Sequence, residues 1–251
     1  TRIHDMEGLV ERRILPIAIE RCEESPVVLL EGPRTVGKST LLRTMAERLG
    51  GEVLDLDDLA VRAAVARDPA TMIDAPGPVL IDEYQHAPAV LDAIKARLNR
   101  SSRPGQFVLT GSARHESLPR AAQALTGRLQ RLQVLPLSQA EIERSNGDLL
   151  TFLLNEPQAP TVSSASTTTR RDYVERIVRG GFPLALAART TMARSRWFDE
   201  WTRLTLERDV QELSRIRQAR TLPVVLARLA GQTSQIFNGT QLADGLGIDE
   251  K

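Results

Sequence analysis

The chain has 251 residues, of which 41% are hydrophobic and 26% charged, and this is the composition of a folded globular protein rather than a disordered one. Its 33 Lys and Arg residues nearly balance its 32 Asp and Glu residues, and the net charge of +1 argues against a protein that wraps nucleic acid by bulk charge. No apolar run reaches the roughly 18 residues of a membrane span, and the single cysteine has no internal partner, so we expect a cytoplasmic protein without a membrane partner.

The first 150 residues alternate between short apolar runs and amphipathic stretches. Runs of three or four aliphatic residues are typical of buried parallel strands, and the amphipathic stretches carry apolar side chains at helical spacing. Helices are predicted at 9–24, 40–49, 58–67 and 89–100, and strands at 27–30, 53–56, 79–81, 107–109 and 132–135. The alternation predicts an α/β fold in which a parallel sheet carries helices on both faces.

A different composition follows after residue 150. A tract rich in Ser, Thr and Pro predicts a flexible linker, and the pattern beyond it is all-helical. Helices are predicted there at 170–179, 190–215 and 221–231. The predicted parts of the chain are a sheet domain at 1–150, the linker at 151–169 and a helical region at 170–251.

A glycine-rich loop lies between the first predicted strand and the helix after it, and it fits the pattern GxxxxGK[ST] of a phosphate-binding loop, or P-loop. The glycines of such a loop let backbone N–H groups converge on phosphate oxygens, and the following helix adds its positive end. Lys38 would reach the β- and γ-phosphates, and the Ser39 hydroxyl would ligate Mg²⁺. The residues expected to bind ATP are Gly32, Pro33, Arg34, Thr35, Val36, Gly37, Lys38, Ser39 and Thr40.

Two carboxylates, Asp82 and Glu83, follow the third predicted strand. The carboxyl ends of parallel strands form the edge at which ligands bind in such sheets. Asp82 would hold Mg²⁺ through water there, and Glu83 would polarise the water that attacks a phosphate. The alternative is an acidic first turn of a helix, which Asp and Glu favour. The P-loop upstream favours the catalytic interpretation.

Polar residues at the fourth strand and an arginine further along complete the set of catalytic candidates. Thr110 and Ser112 would contact the γ-phosphate or orient water, with an ordinary strand-ending turn as the alternative. Arg128 would act as an arginine finger that neutralises charge in the transition state, with a surface arginine as the alternative. The sequence leaves open whether Arg128 acts within its own copy or across a subunit interface.

Together these residues resemble a bacterial and archaeal family of AAA-type P-loop ATPases, in which an ATPase domain precedes a helical and winged-helix region of unknown function. The resemblance rests on residues 32–42, 82–88, 109–113, 125–128, 135–138 with Glu141, 180–183 and 206–210. It implies binding of ATP and Mg²⁺, hydrolysis of ATP, and assembly into a homo-oligomer. It also favours Arg128 as a finger or a nucleotide sensor.

Two positions and the C-terminal end depart from the family pattern. Ser39 stands where the family usually has Thr, which preserves a hydroxyl, and Tyr84 stands where the family usually has an aliphatic residue. Residues 241–248 look like the first helix of a winged-helix unit and the turn after it, but the sequence ends at Lys251, before a recognition helix. We therefore expect a fragment or a naturally shortened protein.

These signals together predict a Mg²⁺-dependent ATP hydrolase with its chemistry in residues 27–145. The alternative is an ATP-gated regulatory or nucleic-acid-binding switch with slow or no turnover, because the C-terminal end resembles a winged helix. Residues 170–220 contain 12 Arg and 7 acidic residues, which fits either a DNA-binding face or a solvated set of helix surfaces. A small-molecule kinase fits less well, because paired carboxylates suit water as the acceptor.

Overall fold

The computed structural model describes residues 9–112, 125–145, 147, 153–154, 167–210 and 221–244. Contacts between Cα atoms divide the chain into two units, with the division between Ala188 and Arg189. Most of the linker predicted at 151–169 lies outside the described residues, as does the end of the winged-helix segment predicted at 241–248.

Five strands form the sheet of the first unit: β1 (Val27–Gly32), β2 (Glu52–Asp55), β3 (Val79–Asp82), β4 (Phe107–Ser112) and β5 (Leu129–Gln133). Their order across the sheet is β2-β3-β4-β1-β5, and every neighbouring pair is parallel. The carboxyl ends of β1, β4 and β3 are therefore neighbours at one edge of the sheet, which we call the carboxyl edge. The strands begin at the opposite edge, which we call the amino edge.

Helices pack on both faces of the sheet: α1 (Ile14–Glu24) and α2 (Lys38–Leu49) on one, and α3 (Leu59–Arg67), α4 (Pro69–Met72) and α5 (Ala89–Arg100) on the other. The described helices of the first unit also include α6 (Gln139–Ile142), α7 (Arg170–Arg179) and α8 (Pro183–Leu186). Successive residues of β1 point to opposite faces. Val28 and Leu30 join a core with α1 and α2, whereas Val27 and Leu29 join a core with α3 and α5. The predicted parallel α/β fold with helices on both faces is confirmed.

Most predicted elements match the structure closely, and α1 and β5 differ most. The predicted helix begins at residue 9, but α1 begins at Ile14, because the Arg12 side chain and the Arg13 N–H bind Glu141 instead of starting a helix. The fifth strand is predicted at 132–135 but lies at 129–133. It is an edge strand whose residues are half-buried or exposed, so an apolar run does not mark its start.

Two contacts attach α7 and α8 to the sheet domain. The Arg176 guanidinium lies 2.8 Å from a Glu143 carboxylate oxygen, and the Leu137 N–H donates to the Gly181 carbonyl at 2.8 Å. A Cβ on Gly181 would lie 2.1 Å from the Leu137 carbonyl oxygen, so this close approach requires a glycine. The helix predicted at 170–179 is confirmed as α7, and it belongs to the first unit.

The second unit contains α9 (Thr191–Leu204), a π-helical segment (Thr205–Val210), α10 (Leu222–Gly231) and α11 (Gly239–Ala243). On α9 the rings of Trp197 and Trp201 stack with centroids 6.3 Å apart. Of the residues of this unit whose exposure the structure describes, none is fully buried. Across both units, none of the helices in the described part of the chain is long and apolar enough to cross a membrane.

Candidate functional site

The loop between β1 and α2 contains the two motif glycines at positions where the backbone requires them. A Cβ on Gly32 would lie 2.2 Å from the Val134 carbonyl oxygen, so no side chain fits where β1 ends. Gly37 precedes α2 with a φ of 94°, a left-handed conformation that glycine adopts without steric cost. The sharp turn from strand to helix therefore depends on both residues.

Lys38, the lysine of this loop, is 5% exposed. Its Nζ donates hydrogen bonds to the carbonyl oxygens of Gly32, at 3.0 Å, and Pro33, at 2.9 Å. Ser39 follows it, half-buried in the first turn of α2, where the helix N-terminus concentrates partial positive charge. The ammonium group and the helix N-terminus thus combine at one loop, and both attract an anion.

The other residues predicted to bind ATP lie along the same loop. Val36 is buried, Pro33 and Arg34 are half-buried, and Thr35 and Thr40 are exposed. Thr35 has a φ of 62°, and its Oγ1 donates to the Arg34 carbonyl at 2.6 Å. The loop therefore presents mainly backbone groups beside Lys38.

The ends of β3 and β4 bring Asp82, Glu83 and Thr110 together at the carboxyl edge. Asp82 is 3% exposed and Thr110 is fully buried. The Thr110 Oγ1 donates to Asp82 Oδ1 and accepts a 3.0 Å hydrogen bond from the Glu83 N–H. Thr110 thus holds both acidic residues in place, which is a role that differs from the predicted contact with a phosphate.

Glu83 has a φ of 52°, which turns the chain sharply after β3. The side-chain amide of Gln85 donates from its Nε2 to Glu83 Oε2. The sequence identified Gln85 only as part of the family pattern and gave it no role. Ser112 pairs in register with Gly32, so the last residue of β4 lies beside the start of the P-loop.

A cavity of about 470 Å³ lies beside the P-loop, within the size range of small-molecule sites. Its polar and charged lining includes Lys38, Ser39, Glu83 and Arg179. Its apolar lining includes Leu9, Val10, Leu137, Ile142, Pro183 and Leu184. This combination suits a ligand with a flat apolar part and an anionic part.

Arg179 was missed by the sequence analysis, because it lies more than a hundred residues from the P-loop and belongs to no recognised motif. The contact between Gly181 and Leu137 carries the end of α7 to the cavity. The Arg179 Nε atom is buried and has no hydrogen-bond partner among the described residues. A buried, unsatisfied donor is rare in native proteins, and it marks a site that an acceptor can occupy.

Arg128 lies away from this group, at the amino edge. Its carbonyl oxygen accepts from the N–H of Val27, the first residue of β1, at 3.2 Å, and its guanidinium donates to the Asn99 side chain at 2.7 Å. The P-loop begins at the other end of β1, about 16 Å away at the usual rise of a strand. The structure therefore does not bring Arg128 to the Lys38 of its own copy.

The strand order, the lysine-bearing loop after β1 and the carboxylates after β3 define the fold of the first unit as that of a P-loop NTPase of the AAA type. Residues 24–143, just under half of the chain, match the sequence model of a family described as "AAA domain". Residues 170–251 match that of a domain of unknown function. The predicted resemblance, an AAA-type ATPase domain followed by a region of unknown function, is confirmed.

Two curated relatives cover almost the whole chain. They are the uncharacterized protein Mb2031c of Mycobacterium bovis and the uncharacterized protein Rv2008c of Mycobacterium tuberculosis. Each is 26% identical over 241 residues, which are 96% of this chain and 49% of the relative. The chain therefore spans about half the length of these relatives.

Two solved structures are similar to the chain at low identity. The Walker-type ATPase PABY2304 of Pyrococcus abyssi is 15% identical, with a TM-score of 0.48 over 95% of this chain and 88% of that one. AMPPCP-bound DnaA from Aquifex aeolicus is 13% identical, with a TM-score of 0.38 over 92% of this chain and 91% of that one. Likenesses this distant add nothing to the family match.

Proposed function

We propose that the first unit binds ATP with Mg²⁺ and hydrolyses it. One observation carries the proposal: Lys38, Ser39 and Glu83 line the same cavity as a set of apolar side chains. A nucleotide has a flat apolar base at one end and a chain of phosphates at the other, so it matches both parts of that lining. The AAA family match of residues 24–143 supports the same conclusion.

In this proposal the P-loop binds the phosphates and the apolar side chains bind the base. Lys38 exchanges the carbonyl oxygens of Gly32 and Pro33 for β- and γ-phosphate oxygens, which carry more negative charge. Backbone N–H groups of the loop and the N-terminus of α2 add donors that require no side chain. Arg179 supplies a second cation, because its buried Nε lacks an acceptor among the described residues.

Mg²⁺ would be held by the Ser39 hydroxyl and, through water, by Asp82. Hydroxyl and carboxylate oxygens are the ligands that this cation prefers, and it commonly completes its coordination with substrate phosphates. Among the described residues, no cluster of three or more His, Cys, Asp or Glu side chains offers an all-protein site. Mg²⁺ would neutralise charge that develops on the phosphates during transfer.

Glu83 is the proposed base that orients and polarises the attacking water. Thr110 fixes the Glu83 backbone N–H, and Gln85 contacts the carboxylate itself, so the base is restrained at both ends. A base on a strained turn beside the phosphate loop is suited to activate a water held next to the γ-phosphate. Thr110 positions these groups rather than touching the nucleotide.

Arg128 serves the active site of a neighbouring copy in this proposal. It lies at the amino edge, too far from its own P-loop, and Asn99 holds its guanidinium in a partly exposed position. An arginine presented at the edge opposite the P-loop can reach a second copy in a homo-oligomer. The proposal therefore includes a homo-oligomer in which each active site is completed by its neighbour.

The second candidate function is an ATP-gated switch with slow turnover. Two contacts favour the switch: Arg176 pairs with Glu143, and the Leu137 N–H donates to the Gly181 carbonyl. They join the wall of the cavity to the segment of the chain that leads into the second unit. The partner would be DNA or another macromolecule. Support for DNA is limited on α9, since Arg203 is paired with Glu200 and Glu207.

Nucleotide binding to Lys38→Ala tests the phosphate-binding proposal. We expect the wild type to bind MgATP and MgADP in calorimetric titrations, and Lys38→Ala to lose binding because no other lysine lies at the loop. Lys95→Ala is the matched control, because Lys95 is an exposed lysine on α5. Affinity of Lys38→Ala within a few-fold of the wild type would overturn the assignment of the P-loop.

Phosphate release then separates the two candidate functions. The hydrolase predicts steady phosphate release that requires Mg²⁺, whereas the switch predicts tight binding with little release until a partner such as DNA is added. Measuring release with and without Mg²⁺ and DNA, over a range of protein concentrations, distinguishes these outcomes.

A further inference from the structure

The Arg12 side chain donates three hydrogen bonds beside the P-loop, and the proposed function gives it no role. Arg12 precedes α1, and its side chain is only 11% exposed. The guanidinium makes three contacts: Nε donates to Glu141 Oε1 at 3.1 Å, one terminal nitrogen to the Val36 carbonyl at 2.8 Å, and the other to the Leu135 carbonyl at 2.6 Å. It therefore joins the P-loop to the segment after β5.

The contact with Val36 determines the direction of a phosphate-binding group. The Val36–Gly37 peptide is planar and trans, so its C=O and its N–H point in opposite directions. Arg12 holds the Val36 C=O towards its own guanidinium, and the Gly37 N–H must then point away from Arg12. In a GxxxxGK loop that N–H is one of the backbone donors that converge on the phosphates.

Glu141 in turn holds Arg12. Its carboxylate is 6% exposed and accepts hydrogen bonds from the Ser138 N–H at 2.8 Å, the Ser138 hydroxyl at 3.0 Å and the Arg13 N–H at 2.8 Å, besides that from Arg12. Burial raises the pKa of Glu141, but these hydrogen bonds and the charge of Arg12 outweigh burial and lower it below the usual value. The carboxylate is thus a fixed anion that orients the guanidinium.

We infer that Arg12, oriented by Glu141, is a positioning residue of the nucleotide site: it fixes the Val36–Gly37 peptide so that the Gly37 N–H faces the bound phosphates. The inference rests on the proposed nucleotide binding and deepens it. Arg12 acts through the loop backbone, and its own nitrogens are committed to protein oxygens. It also gives a role to the Leu-Pro-Leu-Ser segment and Glu141, which the sequence identified only by resemblance.

The binding test compares two adjacent arginines. Arg12→Gln removes the hold on Val36, whereas Arg13→Gln removes a guanidinium that binds only the Ser145 and Gly147 carbonyls among the described residues. We expect Arg12→Gln to weaken MgADP and MgATP binding about tenfold or more, the usual effect of losing a charged hydrogen bond, and Arg13→Gln to bind as the wild type does. Arg12→Lys, which keeps one charged donor, should recover part of the loss.

A spectroscopic readout separates positioning from general destabilisation. In the wild type, MgADP should shift the Gly37 amide proton resonance strongly downfield, because its N–H then donates to a phosphate oxygen. The shift should shrink in Arg12→Gln and persist in Arg13→Gln, with both variants folded by circular dichroism. If Arg12→Gln does not fold, Arg12→Lys and Glu141→Gln supply the same comparison of shifts.

Three outcomes are distinct. A full Gly37 shift and unchanged affinity in folded Arg12→Gln overturn the inference but leave the proposed function intact. Loss of affinity in Arg12→Gln with an unchanged Gly37 shift also overturns it, because the loss then has another cause. If the wild type binds no nucleotide and its Gly37 resonance does not respond to MgADP, the proposed function is wrong, and the inference about Arg12 is overturned with it.

Discussion

The two edges of the sheet differ in what they assemble. At the carboxyl edge, Thr110 binds Asp82 and the Glu83 N–H, while Glu83 shares a cavity with Lys38. At the amino edge, the Arg128 guanidinium has only the Asn99 side chain as a hydrogen-bond partner among the described residues. The contrast teaches that one copy of the chain gathers the phosphate loop, the base and the Mg²⁺ ligands of the proposed site, but presents its candidate finger on the opposite side. The central claim that follows is an active site completed by two copies.

The largest expected effect concerns the amino edge. Arg128→Ala should leave ATP affinity near that of the wild type and lower turnover by about 10³–10⁵-fold, because a finger acts mainly on charge in the transition state. Arg100→Ala is the control, since Arg100 is an exposed arginine next to Asn99 on the same edge. Steady-state phosphate release measures both. If Arg128→Ala turned over ATP as fast as the wild type, Arg128 would not be an arginine finger.

The next effect concerns the base at the carboxyl edge. Glu83→Gln should keep ATP binding and lower turnover by on the order of 10² or more, because water loses the group that accepts its proton. Glu24→Gln at the amino edge is the matched control, because Glu24 is an exposed carboxylate paired with Arg21. Single-turnover phosphate release measures the chemical step. Equal rates for Glu83→Gln and Glu24→Gln would place the base elsewhere.

A smaller effect is expected at Thr110, the residue of β4 that hydrogen-bonds to the end of β3. Thr110→Val keeps the shape of the side chain but leaves buried Asp82 and the Glu83 N–H without their partner. We expect the free energy of unfolding to fall by about 1–3 kcal/mol, with turnover falling as well. Thr44→Val is the control, since the hydroxyl of half-buried Thr44 bonds only the Thr40 carbonyl among the described residues. Urea unfolding measures both variants, and equal stabilities would show that Thr110 does not hold the site together.

The smallest effect is the response of stability to acid. The pKa of Glu141 is lower in the folded protein than its usual value of 4.5. Its stabilising contribution is therefore complete above about pH 4.5, and it is lost as the pH falls through the lowered folded-state value. Unfolding by urea from pH 6 to pH 3, in wild type and Glu141→Gln, should show a smaller loss of stability with acid in the variant. If the free energy of unfolding fell equally with acid in wild type and variant, a lowered pKa of Glu141 in the folded protein would be contradicted.

The effect of salt on ion pairing should differ between Glu141 and Glu24, a carboxylate at the amino edge. Hydrogen bonds from Arg21 and Gln130 also lower the pKa of Glu24, but that side chain is 45% exposed. Added salt should weaken the pairing of Glu24 with Arg21 and leave that of the buried Glu141 with Arg12 largely unchanged.

The parts of the site that the sequence predicted are those encoded locally. The P-loop requires a strand, two glycines and a helix within a few residues, so Lys38 and Ser39 could be found from spacing alone. Asp82 and Glu83 follow an apolar run directly, and their position at a sheet edge follows from the parallel fold. The strand order is not local, and only that order shows that Thr110 on β4 lies beside Asp82 on β3, to which it donates a hydrogen bond.

The parts that the sequence missed come from distant segments. Arg12 reaches the site through contacts with Leu135 and Glu141, over a hundred positions away. Arg179 reaches it through the contact between Gly181 and Leu137, which lie in different segments of the chain. Neither arginine belongs to a periodic pattern. The location of Arg128 depends on where β5 begins. That edge strand has no apolar run at its start, so the sequence could not tell which edge of the sheet the arginine occupies.

Mixing two inactive variants tests the two-copy active site most directly. Arg128→Ala retains the P-loop, and Lys38→Ala retains the finger, so each alone should turn over poorly. In a mixed assembly an intact P-loop can face an intact Arg128, and phosphate release should rise above that of either variant at the same total concentration. Poor turnover of each variant alone with no rise on mixing, at concentrations where the wild type is fully active, would contradict an active site completed by two copies.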